Sequence, residues 1–159
     1  MKIAVFPGSF DPFTLGHLEV VKSSLRIFDK VIVAIGNNSS KGHFFPIDIK
    51  VQIARDATAD LPNVEVCAFS GLTVDFCQEK GAKYIVRGMR TTTDFELERA
   101  IAQANKKMRP SILTVFIPSG HEYSFISSTV VRDVLINGGK ATDFIPKNVD
   151  IAKYLKMLE

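Results

Sequence analysis

Val31-Ile32-Val33-Ala34-Ile35 is an apolar run with no polar residue to mark an outer face. A strand with such a run is covered on both sides, the condition of a parallel sheet held between layers of helix. Further strand-like runs fall at about 2–6, Val64–Phe69, 84–86 and 112–117, with helix-like periods between them. Leu18, Val21, Leu25 and Phe28 share one helical face and predict a helix over 16–28. Pro46 suits a first helical turn, and Ile47, Val51, Ile53, Ala54 and Ala57 carry that helix to 61–62. Helices are also expected over 73–80, closed by Gly81, over 93–108 before Pro110, from the hydroxyl-rich stretch through Ile136, and over 147–158. The pattern is α/β: a single-domain, Rossmann-like, doubly wound sheet of about five parallel strands with helices on both faces. Neither a repeat nor a linker interrupts it, so residues 1–159 read as one domain.

Composition removes several alternatives. Hydrophobic residues make up 46% and charged residues 23%, the balance of an ordinary globular protein. A formal charge of +3, from 20 Lys and Arg against 17 Asp and Glu, is too small to argue for nucleic acid but suits anionic small molecules. No apolar stretch approaches the ~20 residues that cross a bilayer, so no membrane partner is expected. Pro7 and Gly8 come too early for a signal-peptide core, and a cytoplasmic location is the expectation. Cys67 and Cys77 have no metal-ligand spacing and read as buried, reduced thiols.

In doubly wound sheets the ligand crevice lies beyond the carboxyl ends of the strands, where strand order switches. The loops that should meet there carry Ser9 and His17, Lys41, Arg87 and Arg90, and the 124–129 stretch. In the first loop, Gly8 and Gly16 allow close backbone approach to a ligand, and Ser9 supplies a hydroxyl. His17 sits near the start of its helix, where the dipole disfavours a cation, so it should be neutral when free; a bound phosphate would favour its charged form. Ser127, Ser128 and Thr129 read either as helix caps or as a phosphate cradle, and three hydroxyls in a row favour the cradle. Lys41 alone reads as a solvated loop lysine. Arg87 and Arg90 follow a buried strand, with Gly88 giving backbone freedom, where an unpaired guanidinium would be costly. Glu98 reads as an exposed helical charge paired with a neighbour, and His43 and His121 as solvated loop residues.

The chain lacks a Gly-x-Gly-x-x-Gly fingerprint, a Walker-type Gly-Lys-Ser/Thr and an evident metal cage. With phosphate binders but no covalent nucleophile in view, direct transfer between two bound substrates is the economical chemistry.

Thr14-Leu15-Gly16-His17 and Ile126-Ser127-Ser128-Thr129-Val130-Val131-Arg132 resemble the T/HxGH and ISSTxxR motifs of the nucleotidylyltransferase superfamily. Tyr84-Ile85-Val86-Arg87-Gly88-Met89-Arg90 and Asp94-Phe95-Glu96-Leu97-Glu98 narrow the resemblance to the bacterial phosphopantetheine adenylyltransferases, and it runs nearly end to end. The resemblance implies adenylyl transfer from ATP to 4′-phosphopantetheine, giving dephospho-coenzyme A and pyrophosphate, with Mg²⁺ held mainly through the ATP phosphates. It implies that His17 stabilises the transition state, with Ser9, Lys41 and Arg90 also catalytic. ATP would meet Ser9, Phe10, His17, Gly88, Met89, Arg90, Glu98, Tyr123, Ser124, Phe125, Ile126, Ser127, Ser128 and Thr129. Phosphopantetheine would meet Ser9, Lys41, Thr73 and Arg87. A homohexamer and feedback by coenzyme A are implied on the same ground. The sequence departs from many relatives after Lys41, over 42–50, and at Thr73, both on the pantetheine side. Two alternatives stand beside this: a transferase for another acceptor such as nicotinamide mononucleotide, and a nucleotide sensor without chemistry.

Overall fold

The computed structural model describes residues 1–37 and 42–159. Five parallel strands form one sheet in the order β3-β2-β1-β4-β5: β1 Ile3–Gly8, β2 Lys30–Gly36, β3 Val64–Phe69, β4 Tyr84–Met89 and β5 Leu113–Pro118. The intervening helices are α1 Leu15–Ser24, α2 Ile47–Ala57, α3 Thr73–Glu79 and α4 Thr92–Met108, and α5 Ser128–Ile136 and α6 Ile151–Lys156 follow the sheet. The expected doubly wound, Rossmann-like sheet is what forms.

Side-chain alternation divides the central strands between two cores. Ala4, Phe6, Val31, Val33 and Ile35 face one core, where Val20 and Val21 of α1, Ile53 and Ala54 of α2, Val131 of α5 and Tyr154 of α6 pack. Val5, Ile32, Ala34 and Ile85 face the other, with Val74, Phe76 and Cys77 of α3. Period-two alternation therefore makes both faces of β2 apolar, and that is why its sequence carries no polar phase. The chain winds from β1 outward through β2 to β3, then crosses back to β4 on the other side of β1. The carboxyl ends of β1 and β4 thus flank the switch point, where an open α/β sheet leaves its crevice.

Several boundaries differ from expectation. β4 runs on through Arg87, Gly88 and Met89, which pair in register with Phe116, Ile117 and Pro118 of β5. Gly88 accordingly sits inside a strand, and its missing side chain serves packing rather than backbone freedom: an added Cβ would lie 2.7 Å from Val20 Cγ2 of α1. α6 begins at Ile151, later than expected, because the Asp150 carboxylate accepts the Lys153 N–H at 3.4 Å and caps the helix there. α2 ends at Ala57 and α1 at Ser24, each earlier than their apolar periods suggest. A short 3₁₀ turn, His121–Tyr123, precedes α5 without having been expected.

Candidate active site

Two adjoining cavities open at the switch point, one of about 810 Å³ and one of about 280 Å³. They share a wall built from Pro7, Gly8 and Ser9 of the first loop, Arg87 of β4, Glu98 of α4 and Arg132 of α5. The smaller cavity is lined further by Phe10, Gly16, His17, Gly88, Arg90, Ile126, Ser127, Ser128 and Thr129. The larger one takes in Thr73, Ser70, Asn37 and His43. Segments far apart in sequence therefore do meet at one rim. Lys41 lies outside the described residues.

His17 is placed by its own helix start. Thr14 caps α1, its Oγ1 accepting the His17 N–H at 3.4 Å, and the Thr14 N–H donates to His17 Nδ1 at 3.0 Å. The histidine fills the place that Glu or Gln takes in an ordinary capping box. Because Nδ1 accepts, the neutral ring carries its proton on Nε2. Phe10 and Phe13 pack against the imidazole with ring centroids 4.8 and 5.4 Å away. Burial among these rings, then the positive charges of Arg87 and Arg90, lowers the His17 pKa from 6.5 to about 3. The expected neutral state holds, and desolvation is its leading cause.

This shift has a measurable sign. The unfolded chain takes up a proton on His17 near pH 6.5 and the folded chain only near 3, so the contribution to stability is complete above pH 6.5 and is lost as pH falls toward 3. Urea unfolding at pH 7 and pH 4.5 should give a larger acid loss for the wild type than for His17→Asn. Equal losses would contradict the depressed pKa.

Arg87 borders both cavities, with three of its five N–H donors engaged by protein. Its Nε and Nη2 donate to Glu98 Oε2 and Oε1 at 2.9 and 2.7 Å, and Nη1 donates to the Pro7 carbonyl. Glu98, only 13% exposed at its side chain, is thus paired across two elements and not with a helical neighbour. This fork ties the end of β4 to the first loop and to α4, and it cancels much of the arginine's charge. Arg90 is looser: Asp94 lies 3.5 Å away, and Nη1 donates to the Ile126 carbonyl at 3.4 Å.

The three hydroxyls divide their labour. Ser127 caps α5 by accepting the Val130 N–H at 3.2 Å, Ser128 Oγ donates to the Pro12 carbonyl at 2.8 Å, and Thr129 Oγ1 accepts from Arg132 Nη2 at 3.1 Å. Capping takes one of them, while the second locks the first loop against α5. All three remain on the wall of the smaller cavity.

Not every expected residue lines a cavity. Phe10 borders the smaller one, but the residue is 2% exposed and its ring belongs to the core. Met89, Tyr123, Ser124 and Phe125 line neither. Ser124 Oγ instead donates to the His121 carbonyl at 3.2 Å, and Phe125 is 61% exposed beside Phe144.

Four residues enter the site without having been singled out. Arg132 lines both cavities and donates from Nη1 to the Asp11 carbonyl at 2.8 Å; its position three and four residues beyond Thr129 and Ser128 puts all three on one helical face. The buried Asp11 carboxylate accepts the Phe44 and Phe45 N–H groups at 2.8 and 2.9 Å, so the first loop holds the wall of the larger cavity. Lys50 of α2 is completely buried, its ammonium 3.3 Å from His43 Nδ1. Burial lowers the Lys50 pKa, with Asp11 opposing and Arg132 adding to the effect. His43 is exposed in a loop, as expected, and also borders the larger cavity.

A sheet with this strand order and a histidine-bearing helix start at its switch point is compatible with nucleotidyl transfer, and the family itself is shown by sequence similarity. A family model of cytidylyltransferase-like proteins matches residues 5–134. The chain is 45% identical over 149 residues to the phosphopantetheine adenylyltransferase of Lachnoclostridium phytofermentans, covering 94% of this chain and 91% of that one. It is 46% identical over 148 residues to that of Cytophaga hutchinsonii, covering 93% and 99%. The chain therefore belongs to the phosphopantetheine adenylyltransferase family. Among solved structures, a bifunctional NMN adenylyltransferase/ADP ribose pyrophosphatase from Francisella tularensis superposes with a TM-score of 0.74 at 19% identity over 99% of this chain. The chain spans 49% of that protein's length, and the likeness concerns the fold.

Proposed function

We infer that this chain transfers the adenylyl group of ATP to 4′-phosphopantetheine, giving dephospho-coenzyme A and pyrophosphate. The observation that carries the reading is the shared wall: two cavities lined by phosphate-compatible groups meet at Ser9, Arg87 and Arg132. A sensor would need only one of them. ATP fits the smaller cavity, with its phosphates toward His17, Arg90 and the Ser127–Thr129 hydroxyls, and phosphopantetheine fits the larger one, toward Thr73. A phosphate oxygen of the acceptor attacks the α-phosphorus of ATP in line. The new P–O bond forms as the bond from the α-phosphorus to the bridging oxygen breaks, and pyrophosphate leaves. His17 Nε2–H donates to the oxygen on which charge develops, and the positive charge of Arg90 stabilises it. The Arg87–Glu98 fork helps set the geometry of the reactants by fixing the rim where the two cavities meet.

Among the described residues no group of three or more His, Cys, Asp or Glu is arranged to hold a metal ion, and the cavity carboxylates Asp94 and Glu98 already face arginines. We propose that Mg²⁺ comes in on the triphosphate and is held mainly through its phosphates. When bound, the ion neutralises charge on the pyrophosphate that leaves.

Incubating the protein with MgATP and phosphopantetheine should release pyrophosphate and dephospho-coenzyme A in equal amounts. Release with nicotinamide mononucleotide instead would transfer the reading to another acceptor, and none with any acceptor would favour the sensor. In the same assay coenzyme A should compete with phosphopantetheine; inhibition independent of phosphopantetheine concentration would refute feedback at this site.

A homohexamer is part of the proposal. None of the 17 residues of α4 is buried in the isolated chain, and Phe95, Leu97, Ile101 and Met108 are exposed. Other copies of the chain would cover this surface. Sedimentation equilibrium should return six times the chain mass, and a monomer at micromolar concentration would contradict it. No helix among the described residues is long and apolar enough to cross a membrane, consistent with the cytoplasmic location we propose; fractionation that finds the protein outside the cytoplasm would overturn that.

A further inference from the structure

We propose that Glu19 is a positioning residue for the nucleotide: through Gly120 it couples the helix that carries His17 to the 119–126 wall of the smaller cavity. The inference rests on the adenylyl-transfer reading for the identity of the ligand. Glu19 lies two residues beyond His17 on α1, and its Oε1 and Oε2 accept the Gly120 N–H at 3.1 and 3.3 Å, a link across 101 residues. Gly120 is the N-cap of the His121–Tyr123 turn, where a carboxylate is electrostatically favoured. The approach is close: an added Cβ would sit 2.7 Å from Glu19 Oε1, so alanine at 120 would push the carboxylate off the N–H it holds.

The two ends of the segment so held belong to the site. Ser119 and Ile126 at its two ends line the smaller cavity. The Ser119 N–H is fixed to the Met89 carbonyl at 2.8 Å, and the Ile126 carbonyl accepts from Arg90. Between these ends the Tyr123 N–H and the Ser124 hydroxyl bond locally, to Gly120 and His121 carbonyls at 3.2 Å each. Glu19 therefore holds the start of the segment, next to Ser119, to α1. It touches no reacting atom. Its effect is to keep the groups at Ser119 and Ile126 at a fixed distance from the His17 imidazole, so that a nucleotide spanning them finds both ends in place. That is an affinity effect, obtained by removing the cost of ordering the wall on binding.

The experiment is calorimetric titration of MgATP alone, with steady-state kinetics alongside, for wild type, Glu19→Ala, Glu19→Gln, Gly120→Ala and the Glu19→Ala/Gly120→Ala pair. Loss of a carboxylate-accepted hydrogen bond at the wall should weaken MgATP binding about tenfold in Glu19→Ala and raise KM for ATP at least threefold more than it changes kcat or KM for phosphopantetheine. Glu19→Gln, which keeps an accepting oxygen, should recover most of the affinity. The double variant should be no weaker than the weaker single one, because both break one link. Wild-type MgATP affinity in Glu19→Ala overturns the proposal, as does a general fall in melting temperature with both KM values rising together. A wild type that binds no MgATP would remove the nucleotide reading itself, and this inference with it.

Discussion

Replacing His17 with alanine should lower kcat roughly a hundredfold or more while the protein stays folded. A single preorganised donor to a transition-state oxygen is worth about 3 kcal/mol, and each 1.36 kcal/mol is about a tenfold change in rate. The effect should fall on turnover, because the donor is aimed at charge that appears only as the pyrophosphate bond breaks. The structural cost is small by comparison. Alanine removes the Nδ1 acceptor that satisfies the Thr14 N–H, a capping loss of about 1 kcal/mol. A kcat within threefold of wild type would refute the role, whereas a protein that no longer melts cooperatively would point to a purely structural histidine.

The second large effect is on stability, at Asp11→Ala. The Asp11 carboxylate accepts two N–H groups of the 44–45 segment, and it favours the charged form of the completely buried Lys50. Removing it strands the two N–H donors and takes away a negative charge that favours the ammonium of Lys50. Each stranded donor costs about 1–3 kcal/mol, and for a chain of this size the two together lower Tm by about 10 °C. Adding Lys50→Met should restore part of the loss, since the uncompensated charge goes with the lysine. A Tm within 2 °C of wild type (well below the ~10 °C expected) in the single variant would show that Asp11 holds nothing.

The sheet was legible because burial on both faces leaves a local trace. Each residue of 31–35 packs into one core or the other, and no polar residue was tolerated there. Element ends were less legible, since they answer to partners elsewhere. Arg87 marks the end of an apolar run, yet β5 supplies a register partner for it and for the next two residues, so the strand continues. Asp150 as a cap was readable in principle and was outweighed by the apolar period around Val149.

The site divides in the same way. His17 and the Ser127–Thr129 hydroxyls announce themselves as loop-to-helix transitions with the right residue types, and Arg132 falls on the same turn spacing. The pairing of Arg87 with Glu98 cannot be read, because the two residues meet only once β4 and α4 are packed. Lys50 is the clearest case: a lysine at a helix start looks solvated, and only the fold of the 43–45 segment and Asp11 over it makes it buried.

The measurement that reaches the central claim most directly is a crystal structure with a non-hydrolysable ATP analogue and 4′-phosphopantetheine bound together. The nucleotide should occupy the smaller cavity and the acceptor the larger, with the acceptor phosphate oxygen about 3–3.5 Å from the α-phosphorus beside the wall of Ser9, Arg87 and Arg132, and His17 Nε2 within hydrogen-bond reach of the transferred group. Two ligands bound on separate faces, or both on one side of that wall, would contradict it.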